Sequence, residues 1–467
     1  MTAALPRPLP GTGAASGVLE TLAFFRDPHF ARRRFQRHGN VFETRLLGQP
    51  LVFIRGERAI TALLADSRKV EGWWPASVRE LLGSRSLANR NGADHRARRR
   101  VVGQLFSASA LRRYSPAIVV LVEELAAELA AARAPVALAE RLRRFAFTVI
   151  ATVVLGLDGD DREALFVDFE IWTKGLFSFP LAIPTSPFAR ALAARGRLLE
   201  RLTVVLRRAQ AQAAAGEPLA AGGLDLLAGG LDEAGLPLAD DDVVEQLLLL
   251  LFAGYETTAS SLSCLMLALL QHPEAEVWLR QELAQLSWPP APDQATTAYE
   301  PGRAPRLDAL VQEVMRLTPP VGGFFRRTTA PLVLDGVQVP AGRVVQVALA
   351  AHNRHASTAA SAEGPPLAQG EAQGEAQAED DLETFRPQRH LDGHCPVALL
   401  PFGGGERVCL GKALADLEIR LLAVGLLRRL DLELVSGQNL ELQVIPSPSP
   451  RDGLLVRPRM GSRDVVG

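Results

Sequence analysis

The chain is poor in cysteine, poor in aromatic residues and without a surplus of either charge. Its three cysteines (Cys264, Cys395 and Cys409) are odd in number and far apart in 467 residues, which argues against a disulfide framework and suits a reducing cytoplasm. Aromatics make up only 6% while hydrophobic residues, led by Leu and Ala, reach 48%. That balance predicts a mainly α protein, a large helical part with a small β-rich part. Lys and Arg total 51 against 52 Asp and Glu, so no overall field draws nucleic acid or an anionic membrane. The N-terminal stretch lacks a basic segment followed by an apolar one, which predicts a cytoplasmic location. One long apolar run, residues 247–270, carries Glu256 and two threonines at its middle, where a lipid-exposed carboxylate would be costly. It reads as a helix buried in protein, not as a membrane span.

The pattern along the chain favours one domain over residues 1–467. A Pro/Gly-rich lead gives way to a helical stretch over 18–38. VFETRL (41–46) and PLVFIR (50–55) then read as a hairpin. Apolar spacing is mostly helical from about 57 to 285. Asp242 stands as an N-cap for the long apolar helix, with Glu245 three residues on completing a capping box. Residues 289–305 form a loop, and 306–317 a short amphipathic helix stopped by Pro319 and Pro320. Asp335-Gly336 signals a type I′ hairpin turn. Residues 361–381, where GEAQ occurs twice, are too polar to join a core and read as a disordered insertion. Helical spacing returns over 411–431.

PFGGGERVCLGK, 401–412, holds one cysteine among four glycines. Gly403, Gly404, Gly405 and Gly411 permit backbone conformations and close approach that a Cβ would obstruct. Amides can therefore point at the Cys409 sulfur, and a flat cofactor can lie against the chain. A helix beginning near Gly411 adds its positive end, and Arg407 can reach an anionic group. A phosphate-binding loop fails here, because it needs Gly where Glu406 stands and Ser or Thr where Ala413 stands.

Phe402, Gly403, Gly405, Arg407, Cys409 and Gly411 resemble the F-G-x-G-x-R-x-C-x-G loop of the cytochrome P450 family. The resemblance implies haem b as cofactor with the Cys409 thiolate as iron ligand. Three further segments match in order. AGYETT (253–258) would place Glu256 and Thr257 as the acid and alcohol that deliver protons to dioxygen; by its own chemistry an acid beside a hydroxyl in an apolar helix suits a proton relay, and Gly254 would thin the helix for a ligand. The other reading of the threonines is that they bond back to helix carbonyls. EVMR (313–316) and FRPQR (385–389) imply a buried network of Glu313, Arg316 and Arg389. His95 and Arg99, at i and i+4, and Arg326 would bind haem propionates.

What the family implies is hydroxylation of a small apolar substrate using dioxygen and two electrons from NAD(P)H, through a separate reductase and a ferredoxin or similar donor. LPRPLPG, WWPASVRELLGSRSLAN and PPVGGFFRRT are similar to the retinoic-acid-hydroxylating members of animals and their soluble cyanobacterial relatives. A retinoid such as retinoic acid is the expected substrate, with Trp74, Val78, Val321, Gly322 and Phe324 as pocket residues. A fatty acid, sterol or terpenoid would suit the same apolar cavity. A peroxygenase of the same fold and a non-catalytic haem carrier or sensor are the competing readings, both disfavoured by the retained acid-alcohol pair. His352 with His355, and His390 with His394 and Cys395, lack a fourth ligand at ordinary zinc spacing and read as surface histidines.

Overall fold

The computed structural model describes residues 5–13, 17–27, 29–157, 159–215, 223–229, 231, 235–298, 300–355, 381–393 and 395–461. Residues 361–380 of the predicted insertion lie outside them. The chain divides into two compact units, one of residues 1–73 and 312–409, the other of residues 74–311 and 410–467.

The first unit carries the larger sheet. Strands β1 (Val41–Leu46) and β2 (Gln49–Ile54) form the predicted hairpin, with Val41 opposite Ile54. Leu47 and Gly48 both take positive φ at its turn, the geometry whose twist matches the strands. β2 pairs in parallel with β8 (Val344–Ala348), which pairs with β5 (Gly323–Thr328), which pairs with β3 (Val70–Gly72). The hairpin β6 (Leu332–Leu334) and β7 (Val337–Val339) turns at Asp335 and Gly336, at φ 46° and 74°. Helices α1 (Gly17–Arg26), α2 (Phe30–His38), α3 (Glu57–Leu64) and α14 (Leu349–His352) accompany the strands. The helical stretch expected over 18–38 is two helices, broken at Asp27, whose carboxylate accepts the His29 amide at 2.9 Å. Val52, Ile54, Leu63, Leu334, Val345 and Val347 form one core beneath the sheet. Phe30, Phe35, Phe42 and Phe53 form another, with Phe42 stacked on Phe53 at 5.3 Å.

The second unit is almost wholly helical: α4 (Ala76–Leu82), α5 (Gly92–Gly103), α6 (Ala108–Ala130), α7 (Leu138–Val153), α8 (Gly159–Leu176), α9 (Pro187–Ala214), α10 (Leu224–Ala228), α11 (Asp240–Gln271), α12 (Pro273–Leu283) and α15 (Lys412–Arg429). α13 (Pro305–Leu317) crosses the boundary between the units. β4 (Val136–Ala137), β12 (Leu455–Met460) and β9 (Leu430–Leu434) make a three-stranded sheet, and β10 (Leu442–Gln443) pairs with β11 (Ser449–Pro450). α11 is the one described helix long and apolar enough to cross a membrane, yet 72% of its most apolar window is buried inside the protein. Its start differs from the sequence expectation. Ala239 precedes the first turn and Asp242 does not cap it; that side chain is occupied by arginines, as described below.

Candidate active site

In the first unit, residues 400–409 close on themselves through backbone hydrogen bonds. Gly403 N donates to Leu400 O at 3.0 Å, Val408 N to Gly405 O at 3.1 Å, and Cys409 N to Phe402 O at 2.9 Å. Gly403 and Gly405 sit at φ 73° and 68°, which L side chains rarely adopt. Gly404 is held by crowding instead, since a Cβ there would lie 2.7 Å from Leu64 Cδ1. The resulting turn presents the Cys409 thiol exposed at its end, and α15 begins three residues later.

Two arginines border this loop. Arg326, from β5, is 7% exposed. Its Nη1 donates to Phe325 O at 2.8 Å and Nη2 reaches Gly404 O at 3.4 Å, while its guanidinium lies over the Phe324 ring at 4.7 Å. Among the described residues it has no carboxylate partner. Burial, with the charge of Arg407 added, brings its pKa down to about 10. The Arg407 guanidinium occupies the space where Gly72, at the end of β3, has no side chain; a Cβ there would fall inside it. A small cleft, walled also by Leu64 and Val70, opens between these arginines.

Glu313 is fully buried on α13. Arg316 Nε and Nη2 each reach its carboxylate at 2.8 Å, Arg389 Nε at 3.1 Å, His390 Nε2 at 2.8 Å and the Arg386 amide at 2.9 Å. Although burial opposes it, these donors hold the carboxyl down at about 2. Arg316 also donates to the carbonyls of Asn353 and Leu382, at 3.1 and 2.6 Å. Two histidines expected at the surface are internal. His390 belongs to this network. His352, 2% exposed, accepts from Gly56 N at 3.3 Å and contacts Ala398 O at 3.0 Å, and burial lowers its pKa. Short polar spacing looks the same whether a ring faces water or ties loops together, which is why sequence misplaced both.

The second unit holds the other candidates. On α5, His95 is 3% exposed and Arg99 is partly exposed one turn on. Sequence reasoning missed their neighbour Arg98, also buried, whose Nη2 meets Asp242 Oδ2 at 2.7 Å. Arg90 reaches the same oxygen at 2.8 Å, and Gln246 Nε2 donates to Asp242 Oδ1 at 2.9 Å. Glu245, expected in a capping box, instead accepts the Arg85 amide at 2.7 Å and pairs with Arg195.

Glu256 is 8% exposed on α11. Burial raises its pKa, with Glu170 adding to the rise and Arg143, 3.5 Å away, opposing it. Tyr255 beside it donates to Glu170. The Thr257 hydroxyl donates to Ala253 O at 2.7 Å, so it does bond back to its own helix. Gly254 serves packing: a Cβ there would press Ile150 of α7 at 3.3 Å. Of the expected pocket residues, Trp74 and Val78 are partly buried in this unit; in the other, Val321 and Gly322 are exposed and Phe324 is taken up beneath Arg326.

The Cytochrome P450 family profile matches residues 8–357 and 380–460. A cytochrome P450 120 of Synechocystis sp. is 36% identical over 454 residues, covering 97% of each chain. Human cytochrome P450 26C1 is 34% identical, covering 91% of this chain and 83% of its own. Among solved structures, retinoic acid-bound cyanobacterial CYP120A1 matches with a TM-score of 0.83 at 34% identity, over 98% of this chain and 100% of the other. The cytochrome P450DA heme domain, at 18% identity and TM-score 0.81, shares the fold. The chain belongs to the cytochrome P450 family.

Proposed function

We propose that this haem-binding monooxygenase hydroxylates a retinoid of the retinoic acid type, a long apolar chain ending in a carboxylate. The observation that carries this reading is the match to a solved relative named for its bound retinoic acid, over 98% of this chain. Trp74, Val78, Val321, Gly322 and Phe324 are the residues assigned to the apolar wall.

The first unit's loop suits haem on one structural ground above all. Among the described residues, Arg326 is a buried cation held by carbonyls and a ring with no carboxylate beside it, the setting in which a propionate adds a charge-assisted hydrogen bond. Cys409 is assigned as the iron ligand, with Phe402 and Gly411 flanking it, and Arg407, His95 and Arg99 as further propionate partners. Haem b held by a thiolate supplies the iron chemistry that splits dioxygen and oxidises a C–H bond. The chain's task is to orient and to move protons. Glu256, its pKa raised by burial, keeps its proton to higher pH than an ordinary carboxyl and can pass it on at its carboxyl oxygen. Thr257 Oγ1, anchored to Ala253 O, has lone pairs left to receive it. Electrons come from a redox partner; a ferredoxin served by an NAD(P)H reductase, in the cytoplasm, is our assignment.

The reading is tested by the reduced, carbon monoxide-bound spectrum of the wild type and of Cys409→Ala, followed by spin-state titration with retinoic acid, a fatty acid and a sterol. Expected are the red-shifted Soret band of thiolate-ligated haem, its loss in the variant, and a spin shift strongest with retinoic acid. A stronger shift with fatty acid or sterol overturns the retinoid; turnover with peroxide alone, at the rate seen with an electron donor, favours a peroxygenase.

A further inference from the structure

Next to Glu256 on α11, a buried phenol meets a carboxylate. Tyr255 is 1% exposed, and its hydroxyl donates to Glu170 Oε1, on α8. Glu170 is partly exposed and pairs with Lys174 at 3.4 Å, so a proton it receives can go on to water. Phe147 of α7 and Phe166 and Phe169 of α8 stand edge-on around the phenol ring, at centroid distances of 6.3, 6.4 and 5.1 Å. This wall keeps water from the ring and leaves the oxygen as its one polar end. Burial, with the Glu170 carboxylate adding to it, raises the phenol's pKa, so Tyr255 keeps its proton at neutral pH. Removing an electron reverses that preference. A phenol cation radical walled in by rings is costly to hold, and Glu170 is placed to take the proton as the electron leaves. Tyr114 makes the contrast, being 0% exposed with a hydroxyl that has no hydrogen-bond partner among the described residues.

We propose that Tyr255 is a redox-active residue, one that gives an electron to the haem centre when dioxygen or peroxide has oxidised that centre and no substrate is at hand. This rests on the reading that places Glu256 and Thr257 of α11 beside the haem; Tyr255 lies two residues before Thr257, about 3 Å along the helix axis. In the step the phenolic O–H bond breaks. The electron goes to the oxidised centre, which is reduced by one equivalent, and the proton goes to Glu170 Oε1. Tyr255 is left as a neutral phenoxyl radical inside its phenylalanine wall. One electron from the enzyme's own reductant and the proton held at Glu170 restore the phenol. The pair thereby spares the pocket an oxidant that has found no C–H bond.

The test mixes the ferric, substrate-free holoenzyme with hydrogen peroxide, freezes it and records the electron paramagnetic resonance spectrum; a nitroso spin trap and peptide mass spectrometry map the radical. Expected is a tyrosyl signal, with the trap adduct on Tyr255 and none on Tyr114. Tyr255→Phe keeps the ring packing and the reduced, carbon monoxide-bound spectrum but loses the signal. Glu170→Gln, with its haem spectrum checked, keeps the phenol and lowers the radical yield about tenfold or more, as loss of a positioned proton acceptor requires; a merely structural contact would leave the yield unmoved. With the thiolate haem spectrum intact, the proposal is overturned by the absence of a tyrosyl signal, by an adduct on Tyr114 alone, by a signal that survives Tyr255→Phe, or by a yield unchanged in Glu170→Gln. A wild type that lacks the thiolate spectrum overturns the haem reading itself, and this proposal with it.

Discussion

Replacing Glu313 by Gln removes one carboxylate and leaves Arg316 and Arg389, both 0% exposed, facing an amide. The cost follows from the carboxyl itself. Held at about 2 where an ordinary glutamate titrates at 4.5, it binds its proton roughly 300-fold less tightly in the folded chain than in the unfolded one. That is about 3 kcal/mol at 1.36 kcal/mol per tenfold. Breaking a buried ion pair by removing one partner independently gives about 3–5 kcal/mol. The sign with pH is fixed by the lowered value: the contribution is fully present above the unfolded pKa and disappears as pH falls through the folded one. Chemical denaturation of wild type and Glu313→Gln at pH 7, 4.5 and 3 reads this directly. The variant is expected to be less stable by about 3 kcal/mol at pH 7, with the gap narrowing toward pH 3. Equal stability at pH 7, or a gap that widens in acid, would refute the reasoning.

Three other outcomes are expected. Asp242→Asn strands Arg98 and Arg90, of which Arg98 is 4% exposed, and should lower stability by about 3 kcal/mol; thermal denaturation checks it. Glu418 is 2% exposed on α15 and burial raises its pKa well above 4.5. A raised carboxyl costs stability increasingly as pH climbs past the unfolded value, so Glu418→Gln should be more stable than wild type at pH 8 and equal to it below pH about 4; urea midpoints at the two pH values decide. Arg326→Gln removes a charge-assisted bond of about 1.5–3 kcal/mol to the assigned propionate, and haem transfer to an apoprotein acceptor should quicken about 10- to 100-fold.

The hairpins were legible because their signals are local. Asp335-Gly336 both need positive φ, and both have it; β1 and β2 follow from alternation and a short turn. The long helix was legible from its apolar run, but not its first turn. Asp242 looks like a cap by composition, whereas its partners Arg90 and Arg98 lie about 150 residues earlier, beyond any spacing rule. Gly254 is similar: glycine in a helix announces a close approach, and only the fold names Ile150 as what approaches. His352 and His390 carry no local sign of burial, since their partners are a backbone amide 296 residues away and a carboxylate 77 away.

Gly72 and Arg407 stand 335 positions apart, yet the arginine tip rests in the hollow left by one missing methyl. That hollow exists only when Val70–Gly72 is paired with Arg326–Thr328. Residue 72 therefore sets where the Arg407 tip can lie: any side chain there would displace the guanidinium and with it one wall of the cleft beside Arg326.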